Sequence, residues 1–168
     1  YDSVRDQKGM AKAYSNIGVV FDLLGNHEMA LRNFNKCLSI REDLGFEKVG
    51  MIRTLQNLAL AYQVEEVENT ALYYDSSRYY HDQVMRFWQE ENDSFNIACS
   101  FQNIGTWFAE QTLYDSARQY LAVALEMFHE VGDPTDIIEC MGNIGSVEIE
   151  SQQSQLAIDE MLRPAYNL

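Results

Sequence analysis

Four asparagines recur at nearly even spacing along the 168 residues: Asn16, Asn57, Asn103 and Asn143, separated by 41, 46 and 40 positions. Three open the triplet Asn-Ile-Gly, within YSNIGVVF (14–21), QNIGTWF (102–108) and GNIGSVE (142–148). The other opens Asn-Leu-Ala in QNLALAY (56–62). Asparagine is a poor choice for a helix interior, so its return needs a reason. The side-chain amide carries a donor and an acceptor, the same pair that a peptide group offers. Asparagines one repeat apart can therefore grip an extended backbone without reading its side chains. They can equally bond a neighbouring helix and organise the array; the residues alone leave both open.

No other constellation offers catalytic chemistry. His27, His81 and His129 share no short spacing with a cysteine or a carboxylate pair, so no metal centre is expected. There is no nucleophile motif, phosphate loop or dinucleotide fingerprint, which predicts neither a cofactor nor an enzyme. The pairs Glu65-Glu66 and Glu90-Glu91 fall at helix ends and read as solvated. Cys99 is either a reactive thiol or an inert one. Three cysteines far apart, an odd number, favour a reducing compartment; a cytoplasmic location is expected, with the periplasm left open. The net charge of −14 opposes nucleic acid and anionic membranes. It leaves a neutral or basic peptide or protein segment as the easier partner. No apolar run approaches the roughly 20 residues of a membrane span, so no membrane insertion is expected.

The elements that position the asparagines are helices. Apolar residues recur at helical spacing, strand alternation is missing, and the two prolines, Pro134 and Pro164, lie late in the chain. Helix pairs are predicted at 9–23 and 28–43, 49–64 and 69–91, 95–110 and 114–130, and 135–150 and 153–162. Gly25 in LGNHE (24–28) suits a left-handed helix stop. VGDPTD (131–136) supplies a glycine stop and a proline start. A period near 40 signals stacked helical hairpins. The expected organisation is one array over 1–168: a tail of a preceding repeat (1–8), then repeats at 9–48, 49–94 with an extended second helix, 95–134, and an incomplete or divergent 135–168. Such an array reads as a fragment of a longer one.

The pattern resembles the tetratricopeptide repeat: a large residue at position 4, aliphatic at 7, small at 8, aromatic at 11, alanine at 20, bulky at 24 and small at 27. The first copy reads Tyr14, Ile17, Gly18, Phe21, Ala30, Phe34 and Cys37. The third reads Phe101, Ile104, Gly105, Phe108, Ala117, Leu121 and Ala124, and the second gives Leu55, Leu58, Ala59, Tyr62 and Ala71. The longer period is similar to the long-linker variety in bacterial signalling regulators and polarity adaptors. This resemblance implies an all-α fold, a right-handed α-solenoid of antiparallel helix pairs, and a non-catalytic scaffold that binds a peptide or protein in its concave groove. The departures are Asp75 at position 24 of the second copy, Glu148 at position 11 of the fourth, and Pro164 at its position 27. The lysine-based clamp of repeats that hold acidic chaperone C-termini is missing: the corresponding positions are Ser15 and Val19, Gln56 and Leu60, Gln102 and Thr106.

A helix turns about 100° per residue, which puts positions 4, 7, 8 and 11 on one face and 2, 5, 6 and 9 on the other. The triplet then divides: isoleucine to the core, glycine (Gly18, Gly105, Gly145) to a close helix contact, asparagine to the groove. The predicted groove residues are Lys12, Ser15, Asn16, Arg53, Gln56, Asn57, Gln102, Asn103, Thr106 and Asn143, basic at one end and acidic at the other through Glu110, Glu139 and Glu150. Four amide–backbone bonds contribute roughly 2–6 kcal/mol net, while micromolar binding takes about 8 kcal/mol, so charges or side-chain pockets must add the rest. The pairs Tyr79-Tyr80 and Phe87-Trp88 should each turn one member outward, for self-association or for packing between repeats. A structural or oligomerisation array with an empty groove is the alternative function.

Overall fold

The computed structural model describes residues 2–45, 48–63 and 70–162, with side chains over 5–45, 48–63 and 73–156. Among them are seven helices and no strand: α1 (Asp2–Leu23), α2 (His27–Leu44), α3 (Lys48–Ala61), α4 (Thr70–Glu91), α5 (Ser94–Glu110), α6 (Tyr114–Val131) and α7 (Pro134–Leu162). They form two compact units, Tyr1–Phe87 and Trp88–Leu168.

In the first unit α1 and α2 form an αα-hairpin. Its turn works as the sequence predicts. Gly25 takes a left-handed φ of 73°, and the Asn26 side chain accepts a hydrogen bond from the Met29 amide at 3.1 Å. Ala30, Leu31 and Phe34 of α2 pack with Leu58 and Ala61 of α3, and Tyr62, Tyr73 and Tyr80 close the cluster. Gly18 is required here: a Cβ on it would stand 2.5 Å from the Phe34 ring. Ile17, assigned to the core by its position, is instead 43% exposed, whereas Leu58 at the same position of α3 is fully buried. Leu58 packs among α2 and α4 side chains; within the described residues no helix precedes α1 to cover Ile17.

The second unit repeats the design. Ala98 of α5 packs with Ala117, Leu121, Ala124 and Phe128 of α6 and Cys140 and Val147 of α7. Gly105 meets Leu121 as Gly18 meets Phe34; an added Cβ would lie 2.7 Å from the Leu121 Cγ. Asp133 caps α7, accepting from the Thr135 and Asp136 amides at 2.7 and 3.2 Å, while its own amide donates to the Asp136 carboxylate at 3.0 Å. This reciprocal pair and Pro134 in the first turn make the helix start that the linker predicts.

Three local expectations change. The tail assigned to residues 1–8 and the first helix from residue 9 are one helix over 2–23; only Gly9 separates them, and a single glycine does not stop a helix. The fourth pair is likewise one helix, since no glycine or proline lies between Gly145 and Arg163 to turn it. Without a returning helix, no described atom comes within 4 Å of a Cβ on Gly145, so its close-contact role is not realised. Pro164 and the pair Glu65-Glu66 lie outside the described residues.

The second repeat is in a different register. Its buried α4 residues are Ser77, His81 and Val84, spaced like Ala30, Phe34 and Cys37 and like Ala117, Leu121 and Ala124. The Ser77 hydroxyl donates to the Ala59 carbonyl at 2.8 Å. Position 20 is therefore Ser77 rather than Ala71, and position 24 is His81 rather than Asp75. Six residues more than in the other copies separate Ala59 from this face, which accounts for the 46-residue interval between Asn57 and Asn103.

Candidate functional site

The first unit gathers five of the ten predicted groove residues around one cavity. Lys12, Ser15 and Asn16 of α1 and Arg53 and Asn57 of α3 line a space of about 470 Å³, with Lys8, Val19 and Arg41 beside them. The one-turn spacing of Lys8, Lys12 and Asn16 puts all three on a single face of α1. Ser15 is buried, 6% exposed. Gln56, on the same helix as Asn57, is half-buried outside the lining.

The lining is cationic. It includes Lys8, Lys12, Arg41 and Arg53, a third of the chain's 12 lysines and arginines, and among the described residues no carboxylate. Lys8 and Arg41 were not among the predicted residues. Arg41 belongs to α2, is buried, and donates through Nε to the Cys37 sulfur at 3.1 Å; Cys37 in turn lies 3.3 Å from the Thr54 hydroxyl of α3. Its sequence signal was the four-residue step from Cys37, which continues the core stripe of α2.

The second unit holds Gln102, Asn103 and Thr106 on α5 and Asn143 on α7. The Gln102 amide donates to Glu139 of α7 at 3.0 Å, while its carbonyl oxygen is buried with no hydrogen-bond partner. Thr106 bonds back to the Asn103 carbonyl of its own helix at 2.9 Å. None of the four recurrent asparagine side chains bonds another described residue. The interhelical bond that would make the asparagines purely structural is not formed among these residues.

A larger cavity of about 710 Å³ lies between α6 and α7, where sequence reasoning placed nothing. Its cation is already satisfied. Arg118 forks onto Glu148 at 2.7 and 3.3 Å and also reaches Asp115 at 2.8 Å and Ser151 at 2.6 Å. Hydrogen bonding from Arg118 holds the Glu148 carboxyl below the usual range. Glu148 thus replaces the expected aromatic with an ion pair to α6, and the smaller cavity is the better candidate.

Burial, aided by Asp136 and Glu139, pushes the Cys99 thiol up to about 11, which keeps it protonated and unreactive near neutral pH. No cluster of three or more metal-ligating side chains occurs among the described residues, and no described helix is long and apolar enough to cross a membrane. Tyr79 is exposed and stands edge-on to Tyr80, which stacks on Tyr62; Phe87 and Trp88 are both half-buried.

Residues 11–44, the α1–α2 hairpin, match the tetratricopeptide repeat family. Among solved structures, the apo form of RapI superposes with a TM-score of 0.69 at 21% identity, over 91% of this chain and 41% of RapI. BtubC from P. vanneervenii gives 0.69 at 18% identity, over 96% of this chain and 66% of BtubC. The chain thus spans about two fifths of the length of RapI and less than two thirds of BtubC. No curated protein matches it. Residues 11–44 thus resemble a tetratricopeptide repeat, carried in a chain with an all-α repeat fold.

Proposed function

We propose that the chain is a non-catalytic protein-interaction scaffold that binds an extended segment of a partner through its asparagine-bearing helix faces, those of Asn16 and Asn57 in the first unit and of Asn103 and Asn143 in the second, as an adaptor or sensor region of a signalling regulator would. The observation that carries this reading is the set of asparagine amides at equivalent helix positions, unsatisfied by described residues, two of them lining one cavity with cations at its rim. A backbone supplies both halves of what each amide lacks.

The test is a screen of immobilised random peptides against the chain and its Asn57→Ala and Asn103→Ala variants. The expected result is a loss of about three- to tenfold in binding per variant, one neutral hydrogen bond's worth, with the thermal midpoint unchanged. Intact binding with a lowered midpoint would instead make the asparagines structural.

A further inference from the structure

The turns that close α1, α4 and α5 share one hydrogen-bond pattern. The amides of Asn26, Asp93 and Leu113 donate to the carbonyls of Phe21, Trp88 and Phe108 at 2.9, 3.1 and 3.0 Å. Those of Gly25, Asn92 and Thr112 donate to Asp22, Gln89 and Ala109 at 2.9, 3.2 and 2.8 Å. The pattern holds one residue of each turn at positive φ: Gly25 at 73°, Asn92 at 55° and Thr112 at 58°. Glycine and asparagine tolerate this conformation, whereas it strains a β-branched threonine. The next residue caps the following helix. Asn26 and Asp93 accept from the Met29 and Asn96 amides, but Leu113 caps α6 with no side-chain bond. The α5–α6 turn thus carries an unfavourable residue at both positions, side by side.

Both residues line the cavity of about 710 Å³ between α6 and α7. We propose that this cavity binds a neutral polyhydroxylated ligand, a sugar or polyol, and that Thr112 and Leu113 serve it. Residues that cost local stability persist where a site uses them. The Thr112 and Ser116 hydroxyls and the Gln152 amide line the space and form no hydrogen bond with a described residue. They offer donors and acceptors together, as a hydroxylated ligand requires. The charges of the lining are spent on one another: Arg118 is held by Glu148, Asp115 and Ser151. An anion finds no open cation there. Leu113 and the half-buried Tyr114 supply apolar surface for the C–H face of a sugar ring. The volume falls within the roughly 300–1,000 Å³ of small-molecule sites. None of the four recurrent asparagines lines this cavity, so the site goes beyond the scaffold reading and does not depend on it.

The experiment titrates the isotope-labelled chain by NMR with neutral probes to about 20 mM, because a few neutral hydrogen bonds support millimolar affinity. Glucose, N-acetylglucosamine and myo-inositol represent free units; maltotriose and chitotriose represent glycan chains. At least one probe should saturate, shifting amides of residues 112–118 and 148–155 and leaving those of α1 and α2 unmoved. Saturation by the trisaccharides alone assigns a glycan, and saturation by free units a soluble sugar or polyol. Ser116→Ala and Gln152→Ala should each weaken binding by about three- to tenfold, one neutral hydrogen bond's worth. Thr112→Gly should weaken it similarly while raising the thermal midpoint, since it removes the hydroxyl and the strain together. That opposition separates a binding role from a structural one. No saturating probe, or affinity unchanged in all three variants, overturns the proposal. Shifts at the same amides from spermidine but from none of the sugars would also overturn it, by making the cavity a cation site.

Discussion

At the residue scale, the informative position is His81. It occupies the bulky place that Phe34 and Leu121 fill in the other repeats, yet it is a titratable ring, 7% exposed, with Nε2 unpartnered. Burial, and secondarily Arg78, push its pKa down to about 4, against the opposing pull of Asp82. The folded protein therefore holds a neutral imidazole that the unfolded chain protonates near pH 6.5. The unfolded state binds more protons between these values, so stability is complete above pH 6.5 and is lost as pH falls towards 4. The span corresponds to at most about 3 kcal/mol. His81→Leu, which installs the residue of the third repeat, should flatten this part of the pH–stability curve while leaving the pH 7 midpoint equal or higher. Urea denaturation at pH 7, 6 and 5 measures it; an equally steep decline in the variant would locate the proton uptake elsewhere. The sequence could not have singled out this histidine, because the repeat pattern put positions 20 and 24 at Ala71 and Asp75, six residues before Ser77 and His81.

At the element scale, the glycines separate two classes of helix contact. Gly18 and Gly105 lie under bulky side chains from the returning helix, and Gly145 does not. The same triplet thus has opposite sensitivities in α5 and α7. Gly105→Leu should cost about 1–3 kcal/mol through overpacking against Leu121. Gly145→Ala should stabilise by about 0.5–1 kcal/mol, because it removes helix-interior glycine entropy without a clash. Thermal denaturation of both variants decides the matter, and a destabilised Gly145→Ala would mean that a partner packs there. Much of the architecture was legible at this scale: hairpin turns at Gly25 and Pro134, the glycine–bulky pairs, and the all-helical content follow from local composition. What was not legible were the consensus positions on which no described helix packs. Ile17 and Gly145 obey the consensus, but a consensus cannot say whether a helix arrives to meet them. For the candidate site, the step from Lys12 to Asn16 and from Arg53 to Asn57 was readable as a helix face; Arg41 was not, because it enters the cavity from a helix whose pattern reads as core.

At the scale of the whole molecule, charge is the property that the two units do not share. The first is nearly balanced and holds a cationic cavity; the second carries twelve of the fourteen net negative charges and presents Glu110, Glu139 and Glu150, all exposed. Self-repulsion of that magnitude opposes the compact state and is relieved by salt. The Debye length falls from about 30 Å at 0.01 M to about 10 Å at 0.1 M, so the relief should be complete within the physiological range and confined to the second unit. Hydrogen exchange at 10 and 200 mM NaCl reads this unit by unit. Amides of α5 and α6 should gain protection with salt, while those of α1 and α2 should change little. Equal gains in both units would show that the repulsion is shared across the chain.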